Sequence, residues 1–253
     1  MNVTRYLGRI GYQGSREPSL DILAKLGLTH LRNVPFENLD IHLGRTISLE
    51  LEALYQKIVV HRRGGFCYEL NGLFAWMLEE FGFSVRRLSA SDAHPDGSYG
   101  PEFDHLTLMV SNPVQPNHAR LVDVGWGDTF QEPLRMDTKD VQPQGLRAYR
   151  IAHEAGFFFL WQRGYDGRWE KQYRFSLEER QLNDFTVMCL YHQTSPESIF
   201  TRKSICTLAT PEGRISLEDG RLITTVQGQR NELPVESEKA YHDLLKERFG
   251  MEI

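Results

Sequence analysis

Cysteine is scarce in this chain, and no cysteine or histidine spacing suggests a metal site. Cys67, Cys189 and Cys206 lie far apart, cannot all pair and form no CxxC repeat, which argues against a disulfide framework or a structural zinc and points to free thiols in a reducing compartment. The histidines show neither HExxH nor a compact cluster, so no catalytic metal is expected. Long apolar runs are also missing. None approaches the roughly 18 to 20 residues that span a bilayer, and the opening MNVTRYLGRIGYQG has no apolar signal core. The expectation is a cytoplasmic chain with no membrane partner. A basic surplus is absent too: 29 Lys and Arg are dispersed among 34 Asp and Glu, for a formal net charge of -5. Nucleic acid is therefore not an expected partner. This mildly acidic composition suits a monomer or a homodimer.

What is present is ample apolar content, 40% of 253 residues, enough for one large core or two to three small domains. The first third carries helical periodicity: Leu20, Leu23, Ala24 and Leu28, then a VPFENL turn at 34 to 39. Leu51, Leu54, Tyr55, Ile58 and Val59 follow. A third stripe runs from near Cys67 through Leu70, Leu73, Phe74, Met77, Leu78 and Phe81, stopping before Gly82. Beyond Gly82 the pattern becomes short strands: FSVRRLSA at 83 to 90, HLTLMV at 105 to 110, RLVDV at 120 to 124, FFFLW at 157 to 161 and WEKQYRF at 169 to 175. HPDGSYGPEFD reads as a mobile loop, and Gly and Pro between the strands favour an antiparallel sheet or barrel. More short strands follow the TSP at 194 to 196, then a final helix from about Glu238 to Phe249.

The stretch RRGGFCYELN at 62 to 71 carries the chemistry. Gly64 and Gly65 permit backbone approaches that a side chain would block. A cysteine at the helix start meets unpaired amides and the positive end of the helix dipole, which favour thiolate. His105, at the edge of an apolar strand, is a candidate base, and Asp123 is a carboxylate inside the apolar run RLVDV, where it needs a partner. Cysteine, imidazole and carboxylate together make a coherent nucleophilic unit. Taken singly, each also fits a bland role as core thiol, strand histidine or salt-bridge acid. Cys189 in FTVMCLYH and Cys206 in SICTLAT lack a glycine-preceded helix start and are assigned to packing.

RGGFCYELN, FDHLTLMV and LVDVGWGD, with PFENLDI at 35 to 41 and TSPESIF at 194 to 200, closely resemble segments of the arylamine N-acetyltransferase family, including its members that O-acetylate N-hydroxyarylamines. The resemblance covers most of the chain. It implies an α+β fold with a cysteine-protease-like catalytic core: a helical bundle over 1–83, a β-barrel over 84–193 and an α/β lid over 194–253. It places the nucleophile on Cys67, the histidine on His105 and the acid on Asp123. The implied reaction is ping-pong acetyl transfer from acetyl-CoA, through acetyl-cysteine, to an aromatic amine, hydrazine or N-hydroxyarylamine.

Phe36 matches a family position lining the acceptor site. Trp126 stands where VDVGFG is the common pattern, so its larger ring is expected to narrow that site or stack with the acceptor, and Phe130 lies in the same approach segment. Arg63 and Asn71 are expected to support the site, Arg63 by pairing with Glu37. Gly125 and Gly127 leave space for the thioester arm. The loop from Asp96 to Phe103 is a candidate source of amides for the CoA phosphates. Two other readings share these residues: a papain-like or transglutaminase-like thiol enzyme, and a noncatalytic CoA or aromatic-ligand binding protein.

Overall fold

The apolar stripes of the first third fold as helices that surround one buried helix. A computed structural model describes all 253 residues. Helix α1 (Val3–Ile10) starts on the side chain of Asn2, which accepts from the Arg5 N–H at 3.0 Å. Helix α2 (Leu20–Asn33) starts on Ser19, whose hydroxyl accepts from Ile22, and it stops at Val34, immediately before Pro35. A short strand β1 (Phe36–Glu37) and helix α3 (Leu39–His42) occupy the stretch expected to be a turn. The expected helix at 51 to 60 divides into α4 (Leu51–Tyr55) and a π-helical segment, Gln56–Val60.

Helix α5 (Cys67–Glu80) departs most from its expected form. Instead of one apolar stripe, every residue from Cys67 to Leu78 is buried. Its neighbours explain this: α1 and α4 pack on one side, and strands β2 (Ser84–Asp92) and β3 (His105–Asn112) on the other.

The central sheet is antiparallel and has eight strands. It contains β2, β3, β4 (Gln115–Val122), β5 (Leu134–Arg135), β6 (Gln142–Gln144), β7 (Arg147–Glu154), β8 (Phe157–Arg163) and β9 (Trp169–Arg180), ordered β5-β4-β3-β2-β9-β8-β7-β6. Its two edges are joined by glutamine side chains. Gln142 exchanges two hydrogen bonds with the Arg135 backbone, and Gln144 accepts from Gln131 and donates to the Glu132 carbonyl. The sheet thus nearly closes as a barrel, around Leu88, Leu121, Phe130, Tyr149, Leu160 and Tyr173. The loop between β2 and β3, expected to be mobile, is tied back by an Ala93–Tyr99 bridge and by Ser91 donating to the Pro101 carbonyl.

After a 3-10 turn at Leu182–Phe185, helices α6 (Thr186–Thr194) and α7 (Ile199–Arg202) lead to a five-stranded sheet. It is formed by β10 (Ile205–Thr210), β11 (Gly213–Glu218), β12 (Arg221–Val226) and β13 (Gln229–Pro234), with β1 added at its edge. The final helix, α8 (Glu238–Phe249), falls on its expected residues. The architecture is the expected helices, barrel and α/β region, with the C-terminal sheet reaching back to take in Phe36 and Glu37.

A buried charge network locks the start of α5 to β1. Arg63 donates to Glu37 Oε1 from Nη2 at 2.8 Å and stands 3.0 Å from Asp40. Lys57 lies 2.8 Å from both Asp40 and Glu69, and Glu69 accepts the Phe66 N–H. Removing one cation strands carboxylates that are out of water. Arg63→Met is therefore expected to cost about 3–5 kcal/mol of stability. A lower urea midpoint with an unchanged m value would show it, whereas a loss under about 1 kcal/mol would contradict it.

Candidate active site

The glycine pair before Cys67 is explained by close packing. A Cβ on Gly64 would lie 2.1 Å from the Pro35 carbonyl oxygen, and the Gly65 carbonyl accepts the Glu37 N–H at 2.9 Å. The chain can therefore run directly beside β1 before turning into α5. Cys67 is the first residue of α5, so its own N–H has no intrahelical acceptor. The helix start alone favours thiolate, but the whole surroundings act the other way. Burial, then the nearby Asp92, pushes the Cys67 thiol up, while the Leu106 N–H opposes that shift. Removing its proton therefore needs a base beside it.

His105 opens β3 and is buried. The segment before it is tightly held: Phe103 has a left-handed backbone with φ of 67°, its N–H donates to Ser89, and the Tyr68 hydroxyl donates to the Phe103 and Asp104 carbonyls. His105 Nε2 is 2.7 Å from Asp123 Oδ2, which leaves Nδ1 as its exchangeable nitrogen. Burial alone would lower the imidazole pKa, but the charge and hydrogen bond of Asp123 outweigh it and the net shift is upward.

Asp123 does not lie inside a strand. Strand β4 ends at Val122, and the carboxylate sits one residue beyond. There it accepts from four groups. Oδ2 takes His105 and the Tyr173 hydroxyl at 3.0 Å; Oδ1 takes Asn71 Nδ2 at 2.9 Å and the Gly125 N–H at 3.0 Å. Burial acts to raise this carboxyl, yet His105 and these donors hold it below the usual carboxylate range. Asn71, one turn after Cys67, also donates to the Leu106 carbonyl and accepts the Val124 N–H. One side chain thus joins α5 to β3 and to the segment that follows β4.

Cys67 and His105 line one cavity of about 360 Å³ with Phe36, Asp92, Asp104, Gly125, Trp126, Gly127 and Phe200, and the C-terminal sheet supplies Thr207, Arg214, Ser216, Thr225 and Arg230. This volume suits a small aromatic molecule or a thioester end. Gly125 backs directly on the cysteine: an added Cβ would lie 2.8 Å from the Cys67 Cα. Trp126 meets the His105 ring edge-on, with centroids 4.8 Å apart, so it braces the imidazole as well as lining the cavity.

Phe130 is a correction. It is buried in the barrel core, edge-on to Tyr149, and does not reach the cavity. Residues 96 to 103 do not line it either. Asp92, Phe200 and the tyrosine behind Asp123 were missed. Asp92 ends a strand with no motif around it, Phe200 sits within TSPESIF without a distinguishing signal, and Tyr173 meets Asp123 only through the pairing of distant strands. No group of three or more His, Cys, Asp or Glu is placed to hold a metal ion, and no helix is long and apolar enough to cross a membrane.

A family model described as N-acetyltransferase matches residues 19–253. The arylamine N-acetyltransferase of Mycobacterium bovis is 35% identical over 258 residues, covering 100% of this chain and 90% of its own length. The structure of the M. tuberculosis arylamine N-acetyltransferase superposes with a TM-score of 0.92 at 36% identity, covering 99% of this chain and 94% of that one. The Mycobacterium marinum arylamine N-acetyltransferase in complex with CoA superposes with a TM-score of 0.91 at 34% identity, covering 99% and 93%. Together with a cysteine and an Asp-bound histidine facing one cavity, these matches show that the chain belongs to the arylamine N-acetyltransferase family.

Proposed function

We propose that Cys67 is the acetyl-accepting nucleophile, His105 its base and Asp123 the group that orients the imidazole, in a ping-pong cycle between acetyl-CoA and an aromatic acceptor. As a family member the chain is an acetyl-CoA-dependent acyltransferase. The observation that carries the residue assignment is the cavity lined by both Cys67 and His105, whose imidazole is tied through Nε2 to Asp123.

In the first half-reaction the Cys67 proton passes to His105 Nδ1 as Sγ attacks the thioester carbonyl. The bond from carbon to the CoA sulfur breaks, that sulfur takes the proton, and acetyl-Cys67 remains. In the second, the acceptor nitrogen, or the hydroxyl oxygen of an N-hydroxyarylamine, attacks the acetyl carbon, His105 takes its proton, the bond to Sγ breaks and the proton returns to sulfur, restoring the thiol. Both steps build negative charge on the carbonyl oxygen, and the unpaired Cys67 N–H is the first donor for it. Acceptors are aromatic amines, hydrazines or N-hydroxyarylamines, held between Phe36, Phe200 and Trp126. Gly125 and Gly127 leave room for the thioester arm, and Arg214 and Arg230 on the lid side are cationic partners for the CoA phosphates.

In this reading residues 1–83 carry the nucleophile and 84–193 the base and acid. Residues 194–253 cover the acetyl-enzyme against water. The protein acts in the cytoplasm as a monomer or homodimer, without nucleic acid. Steady-state rates measured while acetyl-CoA and an arylamine are both varied test the cycle. Parallel double-reciprocal lines are expected, and lines converging on a ternary-complex pattern would refute it.

A further inference from the structure

The carboxylates around Cys67 are not equivalent. Asp123 is held by His105 and three other donors, and Asp104 stands 3.2 Å from His192 Nε2. Asp92 differs: it lines the cavity, makes no ion pair, and its buried Oδ1 has no hydrogen-bond partner. Asp92 is half-buried, so its carboxyl faces the cavity without a protein partner to neutralise it, and what enters the cavity meets that charge directly.

Its position follows from strand pairing. In β2, Ala90 lies opposite His105, and Asp92, two residues on and so on the same face, lies opposite Tyr173. The carboxyl is thereby delivered to the end of the cavity that holds the sulfur and the imidazole. The cycle described above gives it no task.

We propose that Asp92 is a specificity-determining residue of the acceptor site, admitting aromatic amines and hydrazines with neutral or cationic hydrogen-bond-donating substituents and rejecting those that carry a carboxylate. The assignment rests on the acetyltransferase reading of the same cavity. Its physical basis is simple. A second carboxylate brought beside Asp92 and Asp104, with Asp123 behind them, meets like charge at short range, and the cavity's arginines do little to offset it because Arg214 is paired with Asp128 and Arg230 with Glu232, whereas a donor finds an acceptor. Burial, then Asp104, pushes the Asp92 carboxyl up to about 7, with His105 opposing and Asp123 adding to the shift. The group is therefore mostly ionised at about pH 8.5.

The test compares two acceptors of nearly equal shape, 4-aminobenzoate and its neutral carboxamide, at about pH 8.5. It uses the full chain, Asp92→Asn and Asp92→Val, and intact mass after acetyl-CoA is recorded for each. The unsubstituted chain should favour the carboxamide by about tenfold or more in kcat/KM. Both substitutions should shrink that ratio to within about threefold. Acetyl-enzyme that forms normally with a ratio unmoved by either substitution would overturn the role of Asp92 alone. No acetyl-enzyme in the unsubstituted chain would overturn the acetyltransferase reading, and this assignment with it.

Discussion

Cys67→Ala is expected to lower acetyl transfer by about 10^5-fold or more, with the fold retained. Sγ forms the only covalent bond to the acetyl group, so its loss removes both half-reactions together rather than weakening one step. Neither remaining thiol can substitute. Cys189 is buried on α6 against Gln193, and burial pushes its thiol up to about 12. Cys206 is buried in β10 beneath α8, where burial also raises its thiol, and neither residue lines the cavity that His105 faces. The alanine removes a small side chain at the edge of a cavity, so its effect on stability should be about 1 kcal/mol or less. Rates with saturating acetyl-CoA and an arylamine, beside a thermal melt, check both halves. Residual turnover within about tenfold of the unsubstituted chain would mean that the nucleophile lies elsewhere.

The second large effect is expected at Asp123. Asp123→Asn should lower the rate of Cys67 acetylation by about 10^3 to 10^4-fold. The carboxylate accepts four hydrogen bonds and donates none. An amide must turn its NH2 either toward His105 and Tyr173 or toward Asn71 and the Gly125 N–H. The first orientation makes His105 Nε2 an acceptor and moves its proton to Nδ1, the nitrogen that must receive the thiol proton. The second sets donor against donor inside the protein and costs stability. Either way the imidazole also loses the negative charge that raises its pKa, so it becomes a weaker base. Rapid-quench measurement of the first half-reaction reads this directly, and a loss under tenfold would show that Asp123 is not needed to hold the tautomer.

Both effects depend on placements that were only partly legible in the amino-acid order. The shift from helical to alternating periodicity at Gly82 is plain in the residue types, because a 3.6-residue stripe and a 2-residue alternation bury different side chains. The glycine pair before Cys67 signals a tight approach, although the partner, the Pro35 carbonyl, is 29 positions upstream and invisible locally. Burial of α5 on all sides was hidden, since polar Glu69 and Asn71 are inside only because Lys57, the Phe66 amide and Asp123 satisfy them. The helix-start argument for a thiolate rests on a position that Cys67 does occupy, but it leaves out burial and Asp92, which act the other way. Phe130 and Phe36 looked alike as aromatic residues near motifs, yet one fills the barrel and the other faces the cavity. Pairing of distant strands separates them, and that is a tertiary fact.

Intact-protein mass spectrometry after brief mixing with acetyl-CoA, with no acceptor present and with Cys67→Ala alongside, tests the central claim most directly. The account predicts one acetyl group on the unsubstituted chain, mapped to Cys67 by peptide analysis, absent from the alanine variant and discharged when an arylamine is added. A chain that gains no acetyl group, or gains it equally without Cys67, would contradict it.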